Sequence, residues 1–96
     1  MAWFYVLYSP TLDKYYSGIT SDSVAIRLEK HNSSSYGQKF TSAANDWEIK
    51  LQISTKDFDH ARRMELYVKK RKSRIFIVEL INSVLVQTRL IELTRK

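Results

Sequence analysis

Two tyrosines near the N-terminus, Tyr5 and Tyr16, carry the first side chains of the chain that could do chemistry. A phenol has a reference pKa of about 10, so either could act as a base at neutral pH only if adjacent cations favoured the phenolate. Without such cations the two hydroxyls would instead orient a water molecule. As bare aromatic residues they are more typical of a buried core, so residues further along decide whether they form a site.

Arg27 and His31 are the next two candidates, four residues apart. At that spacing they share one face of a helix. The planar guanidinium of Arg27 suits the charge that spreads over phosphate oxygens, although by itself Arg27 is also typical of an exposed helix. His31 is equally ambiguous, because a lone histidine near a helix end is more often structural.

Glu65 is the sharpest single candidate, because Phe58 and Val68 at helical spacing predict that its face turns toward the core. A carboxylate in such a place must be paired, protonated or bound to a metal. Mg²⁺ fits the last alternative, since it keeps several waters and often takes one protein carboxylate plus phosphate oxygens. A salt bridge to Arg27 or Arg62 explains Glu65 equally well.

A hairpin is predicted to bring the two tyrosines together. Residues 2–8 are apolar or aromatic on both alternating faces, which indicates a strand covered on both sides near the middle of a sheet. Turn residues between positions 9 and 13 separate it from a second strand, Tyr15 to Thr20. This pairing would place Tyr5 and Tyr16 side by side.

The middle of the chain predicts a helix, a loop, a strand and a second helix. The first helix runs from about Ser23 to Lys30, and the polar stretch 32–38 is typical of a loop. Alternation from Trp47 to Ser54 predicts a half-buried strand. The second helix spans about Lys56 to Lys72, with Ser54 or Thr55 as its N-cap.

The C-terminal part predicts a third helix and leaves one segment open. Ser73 is expected to cap a helix from about Arg74 to Ile81, whereas Val84 to Leu93 fits either a helix or a strand. The order β-β-α-β-α-α predicts an α+β domain around a short antiparallel sheet. We expect residues 1–82 to form this domain and residues 83–96 to be an apolar and basic extension, packed on the domain or at a dimer surface.

Length and composition exclude several classes of protein. The 96 residues suffice for one domain. The chain has no cysteine and two histidines, which excludes disulfides, thiolate chemistry and zinc sites built on cysteine or on several histidines. The N-terminal apolar run has no preceding basic residue and stops at Pro10, so we expect a cytoplasmic protein without a secretory signal or membrane span.

The net charge of +6 is concentrated in the last third of the chain. Residues 60–96 hold ten Lys or Arg against three Asp or Glu, whereas residues 1–59 hold six against seven. A basic cluster of this kind attracts polyanions, most commonly nucleic acid, although a solvated helix face is the alternative.

The motifs Trp3-Phe4-Tyr5 and Tyr16-Ser17-Gly18, followed by Arg27, His31 and Glu65, resemble in order and approximate spacing the GIY-YIG endonuclease domain. They are most similar to small stand-alone bacterial members related to the nuclease domain of the UvrC excision-repair subunit. The resemblance runs from about Ala2 to Ile81.

This resemblance implies metal-dependent hydrolysis of DNA phosphodiesters on a three-stranded antiparallel sheet flanked by helices. It implies that Tyr5 activates the attacking water and that Tyr16 positions the water or the phosphate. Arg27 would stabilise the transition state, Glu65 would hold a single Mg²⁺ or Mn²⁺, and His31 could relay a proton.

Three lysines, Lys39, Lys69 and Lys72, are expected to hold the DNA backbone on grounds of charge and position. No segment resembles an added sequence-reading module, so low base specificity, or direction by a recruiting partner, is expected in repair or recombination. The alternatives are an inactive nucleic-acid-binding module, and an interaction protein that dimerises through its C-terminal segment.

Overall fold

The computed structural model describes residues 1–32, without the side chain of His31, and residues 45–95. Lys39, one of the predicted DNA-binding residues, lies outside them. The elements of the described residues, in chain order, are β1 (Ala2–Ser9), β2 (Lys14–Thr20), α1 (Val24–Asn32), β3 (Glu48–Thr55), α2 (Phe58–Arg71), α3 (Arg74–Asn82) and α4 (Val84–Thr94). The predicted α+β class and the three-stranded antiparallel sheet are confirmed, and the segment that fitted either a helix or a strand is α4.

The sheet has the order β2-β1-β3, with β1 in the centre as its two apolar faces predict. One face of β1 presents Phe4 and Val6 to a core that also holds residues of α2, α3 and α4. The other face presents Tyr5 and Leu7, which pack with Val24 of α1 and with Trp47. Each face of the central strand is therefore fully covered.

The turn of the β1–β2 hairpin is held from outside by Asp46, just before β3. Its carboxylate accepts hydrogen bonds from the Ser9 hydroxyl at 2.6 Å and from the backbone N–H and hydroxyl of Thr11 at 2.9 and 2.6 Å. These donors, the Ser9 hydroxyl first, hold the pKa of Asp46 below its ordinary value. The hairpin is thus fixed to the start of β3.

Helix α2 begins later than predicted, and its core face is different. Asp57, not Ser54 or Thr55, is the N-cap and accepts a hydrogen bond from the His60 N–H at 2.8 Å. Thr55 is unavailable because it belongs to β3, where its hydroxyl donates to the carbonyl oxygen of Ala2 at 2.9 Å. Phe58, predicted to face the core, is 46% exposed at the first position of the helix.

The buried face of α2 consists of Ala61, Met64 and Val68. The helix is capped by Lys72, whose left-handed backbone (φ 49°) ends it close to where the sequence predicts. Ser73 then caps α3, as predicted, and accepts a hydrogen bond from the Phe76 N–H at 3.1 Å.

Helix α4 packs against α2 through both apolar and polar contacts. Leu90 is buried in the core that includes Phe4. The Arg63 Nε donates to the carbonyl oxygen of Thr94 at 2.6 Å, and the His60 ring Nε2 lies 3.0 Å from the Thr94 hydroxyl. None of the helices in the described part of the chain has the length and apolar character needed to cross a membrane.

The last residue of α1, Asn32, joins this helix to the start of β3. Its side-chain amide donates to the carbonyl oxygen of Trp47 at 3.0 Å, and its side-chain oxygen accepts from the Trp47 N–H at 2.7 Å. The Trp47 side chain is buried beside Tyr5. This paired contact therefore fixes both α1 and Trp47 on the Tyr5 face of the sheet.

We predict that Asn32→Ala lowers the free energy of unfolding by about 1–3 kcal/mol, because it removes two hydrogen bonds to a partly buried backbone segment. Urea unfolding monitored by circular dichroism measures the change. The matched control is Asn82→Ala, which removes an exposed bond to the Val78 carbonyl within α3 and should cost less than about 0.5 kcal/mol. Equal losses in the two variants would contradict a special role for Asn32.

Candidate active site

Tyr5 lies in the central strand with only 1% of its surface exposed, and its ring crosses the neighbouring strand at Gly18. A Cβ atom placed on Gly18 would lie 2.6 Å from the Tyr5 hydroxyl oxygen and 2.7 Å from the ring Cζ. Only glycine leaves room for this close approach. Because Gly18 has no side chain, the Tyr5 phenol can reach over the edge strand β2 although its ring is buried.

Tyr16 projects from the same face of the hairpin as Tyr5. Tyr16 pairs with Leu7, and Tyr5 pairs with Gly18, so the two tyrosines occupy diagonal positions of the β1–β2 ladder. The half-buried Tyr16 ring packs edge-on against Trp47 with 6.4 Å between centroids. The hairpin therefore brings the two phenols to one region of the sheet, as its pattern predicts.

Glu65 and Lys69 of α2 lie beside Tyr16. The Lys69 Nζ is 5.8 Å from the centre of the Tyr16 ring and 3.4 Å from a carboxylate oxygen of Glu65. Met64 and Val68, rather than Glu65, are the residues that α2 turns into the core. The Glu65 side chain therefore keeps 18% of its surface exposed. Lys69 thus takes the place of Arg27 or Arg62, the salt-bridge partners that the sequence suggested.

A cleft of about 390 Å³ runs along β2 next to these residues. It is bounded by β2 on one side and by the end of α2 and the start of α3 on the other. Its wall includes Tyr16 and four cations, Lys14, Lys69, Lys72 and Arg74. Such a concentration of positive charge favours a polyanionic chain.

Lys14 and Arg74 are the two cleft cations that sequence reasoning did not assign. Arg74 belongs to the basic cluster, so the sequence indicated its role as a cation but not its position beside β2. It is held by Asp13 in the hairpin turn, through hydrogen bonds to the carboxylate at 2.7 Å and to the backbone carbonyl at 2.8 Å. No local pattern marks this contact, because 61 residues separate the partners.

The Asp13 carboxylate is the centre of a small network at the cleft rim. The hydrogen bond from Arg74, with a second from the Tyr8 hydroxyl at 2.6 Å, holds the pKa of Asp13 below its ordinary value. The same bonds raise the pKa of Tyr8 and of Arg74. Tyr8 therefore stays a neutral hydrogen-bond donor, and Arg74 a fixed cation.

Arg27 lies in α1 and is not part of the cleft wall. It follows Val24 by one helical turn, and Val24 packs with Tyr5, so α1 brings Arg27 to the face of the sheet that carries Tyr5. The guanidinium is half-buried, and its Nε is shielded from solvent. The side chain of His31, one turn further, is outside the described residues.

The donor set around Glu65 suits one kind of metal ion. In residues 1–32 and 45–95 no three His, Asp or Glu side chains are grouped for metal binding, and Glu65 is the carboxylate that pairs with Lys69 of the cleft wall. Mg²⁺ is satisfied by one or two protein carboxylates when waters and substrate phosphate oxygens complete its octahedral shell. Glu65, which pairs with Lys69 of the cleft wall, could supply one such carboxylate.

Comparison with models of protein families matches residues 1–78 to the GIY-YIG catalytic domain. The matched part extends from β1 into α3 and includes Tyr5, Tyr16, Arg27 and Glu65. Comparison with curated proteins and with solved structures gave no significant match.

We predict that Gly18→Ala lowers the free energy of unfolding by about 1–3 kcal/mol, because the added methyl group collides with the Tyr5 phenol. Urea unfolding gives the loss, and near-ultraviolet circular dichroism reports the displaced tyrosine ring. Ser17→Ala, on the same strand but facing the other side of the sheet, is the matched control and should cost less than about 1 kcal/mol. A Gly18→Ala protein with the stability and spectrum of that control would contradict the close approach of Tyr5.

Proposed function

The chain belongs to the GIY-YIG family of nuclease domains, and from this premise we propose that it is an endonuclease that hydrolyses DNA phosphodiester bonds with one bound Mg²⁺ or Mn²⁺. The observation that carries the proposal is that Tyr16 and Lys69 line a basic cleft, with Glu65 paired to Lys69, next to the strand over which Tyr5 reaches. When bound at Glu65, the metal would supply positive charge beside the phosphate oxygens.

The two phenols would place the attacking water. Tyr5 reaches across β2 at Gly18, so its oxygen would hold the water by a hydrogen bond. As a phenolate it would take the proton of the water, whereas a neutral Tyr5 would orient the water and leave the proton to His31. Tyr16, at the cleft wall, would position the water or the phosphate. Fixed geometry matters here, because a water held in line with the phosphorus atom loses little entropy when it reacts.

Arg27 and Lys69 would stabilise the negative charge that builds on the phosphate oxygens. Arg27 approaches from α1 on the face that carries Tyr5, and its planar fork can bind two phosphate oxygens. Lys69 pairs with Glu65 across 3.4 Å, and it would turn to the phosphate once a metal ion occupies the carboxylate. The ion pair between Lys69 and Glu65 would thus be replaced by one between Lys69 and the phosphate.

The cleft cations would hold the DNA backbone on both sides of the reacting phosphate. Lys72 and Arg74 stand at the α2–α3 junction and Lys14 at the start of β2, while Lys39 would contribute from outside the described residues. Phosphate contacts fix position but carry no base identity, so binding would be salt-dependent with low sequence specificity. A cytoplasmic role in repair or recombination, with a recruiting partner or a homodimer, completes the proposal.

We predict that Glu65→Gln reduces Mg²⁺-dependent nicking of supercoiled DNA by about 100-fold or more, because the amide cannot hold the charge-stabilising ion. Agarose gels of plasmid incubated with Mg²⁺, Mn²⁺ or excess EDTA measure the rate. Glu92→Gln, an exposed carboxylate on α4, is the matched control and should nick at the wild-type rate.

Fluorescence anisotropy with a labelled duplex separates this proposal from an inactive DNA-binding module. We expect Glu65→Gln to bind the duplex at least as well as wild type, since it loses a negative charge in a basic cleft. Salt-sensitive binding by the wild type without any metal-dependent product would favour the inactive module, and full nicking by Glu65→Gln would remove Glu65 from the site.

We predict that Tyr5→Phe keeps the fold and lowers nicking by about 10²- to 10⁴-fold, because it removes one oxygen that orients or deprotonates the water. The variant keeps the ring that fills the space over Gly18, so urea unfolding should change little. The control is Tyr67→Phe, because Tyr67 lies on α2 and packs against the core on the other face of the sheet. Wild-type nicking by Tyr5→Phe would return Tyr5 to a purely structural role.

A further inference from the structure

A second surface, on the other side of α2, exposes apolar side chains between α2, α3 and α4. Leu66 is 52% exposed and Leu93 is 59% exposed, and both line one depression. Leu93 also lines an adjoining depression with Phe76 and Val86. We call this continuous pair of depressions, with Leu93 between them, the α4 furrow.

The α4 furrow is edged almost entirely by cations. Arg63, Lys70 and Arg95 line the first depression, and Arg71 and Arg89 line the second. Against these five stands one lining carboxylate, Glu79. Among the described residues no carboxylate forms an ion pair with any of the five.

Two of the five cations, both arginines, are held in place by neutral groups. The Arg63 Nε donates to the Thr94 carbonyl oxygen at 2.6 Å, and the Arg71 guanidinium lies 4.5 Å from the centre of the Phe76 ring. Both contacts fix the side chain and leave its positive charge uncompensated. The edge is therefore a partly ordered set of charges rather than a group of mobile side chains.

We propose that the α4 furrow binds an amphipathic helical segment of an acidic partner protein. Exposed leucines along a groove between helices are what such a segment covers with its apolar face. The five cations would pair with carboxylates that flank this face, giving charge complementarity and orientation. This surface lies beyond the proposed nuclease function and would serve to recruit the domain.

Neither a second copy of the chain nor DNA fits the α4 furrow as well. A two-fold symmetric dimer would set the same five cations against each other. A DNA backbone would match the charges but has no apolar surface to cover Leu66 and Leu93. Leu66 and Lys70 each follow Glu65 and Lys69 by one residue, about 100° around the helix, so the furrow and the cleft could be occupied together.

Fluorescence anisotropy with a synthetic peptide tests this proposal. The probe is a labelled helical peptide of about 18 residues, with leucines at i, i+4 and i+7 and glutamates on the flanking positions. One control peptide replaces each glutamate by lysine, and the other replaces each leucine by serine. We expect wild-type protein to bind the acidic peptide and neither control.

Four variants locate the binding surface. Leu93→Ser and Lys70→Glu should each weaken binding of the acidic peptide about tenfold or more, the effect of removing a central contact. The matched controls are Leu85→Ser, 71% exposed on α4, and Arg62→Glu on α2, neither of which lines the furrow. They should bind within about twofold of wild type. Urea unfolding of Leu93→Ser confirms that the domain remains folded.

Three outcomes would overturn the proposal. Equal binding of all three peptides, or of the acidic peptide to wild type and Leu93→Ser, would show that the furrow recognises no such segment. Loss of duplex binding in Leu93→Ser would assign the furrow to DNA. A dimer in analytical ultracentrifugation that Leu93→Ser dissociates would assign it to a second copy. Because the measurement needs no metal and no cleavage, its result is independent of the nuclease proposal.

Discussion

The close approach of Tyr5 to Gly18 is the constraint on which the candidate site depends. Because β1 is central and covered on both faces, a polar atom on it can reach the surface only across a neighbouring strand. The sheet is one strand wide on the β2 side, and the missing side chain at Gly18 leaves a path for the phenol. A residue that is 1% exposed thereby brings its hydroxyl over the edge strand while its ring remains part of the core.

Helix α2 supplies charge to this edge of the sheet and apolar side chains to the core. Met64 and Val68 face the core, while Lys69 lines the cleft and pairs with Glu65, so that each pair of residues is spaced by one helical turn. The left-handed backbone at Lys72 then ends the helix and redirects the chain. This turn brings Arg74 back to Asp13, 61 residues away, and so closes the cleft at its far end.

Local patterns predicted the strands and helices, whereas long-range contacts decided the details. The alternation around Trp47 and the doubly apolar β1 could be recognised because burial imposes a period of two. The N-cap at Asp57 and the exposure of Phe58 could not, since both depend on Thr55 bonding to Ala2 in another strand. Segment 84–94 was ambiguous because exposed and buried leucines alternate irregularly along it. Tyr5 and Tyr16 could be placed on one face from spacing, but the role of Gly18 required the packed ring.

The Lys69–Glu65 ion pair holds a carboxylate next to the core, as the proposed function requires before metal and phosphate bind. An isolated carboxylate beside a core would be costly, and a lysine one helical turn away pairs with it and holds it in place. Since the lysine is half exposed, solvent screens the pair, and its contribution is on the order of 0–1 kcal/mol. An incoming metal and phosphate would need to overcome only this small energy to separate the two side chains. The lysine would then lie within the same cleft as the phosphate, so the group that pairs with Glu65 would also help to neutralise the substrate.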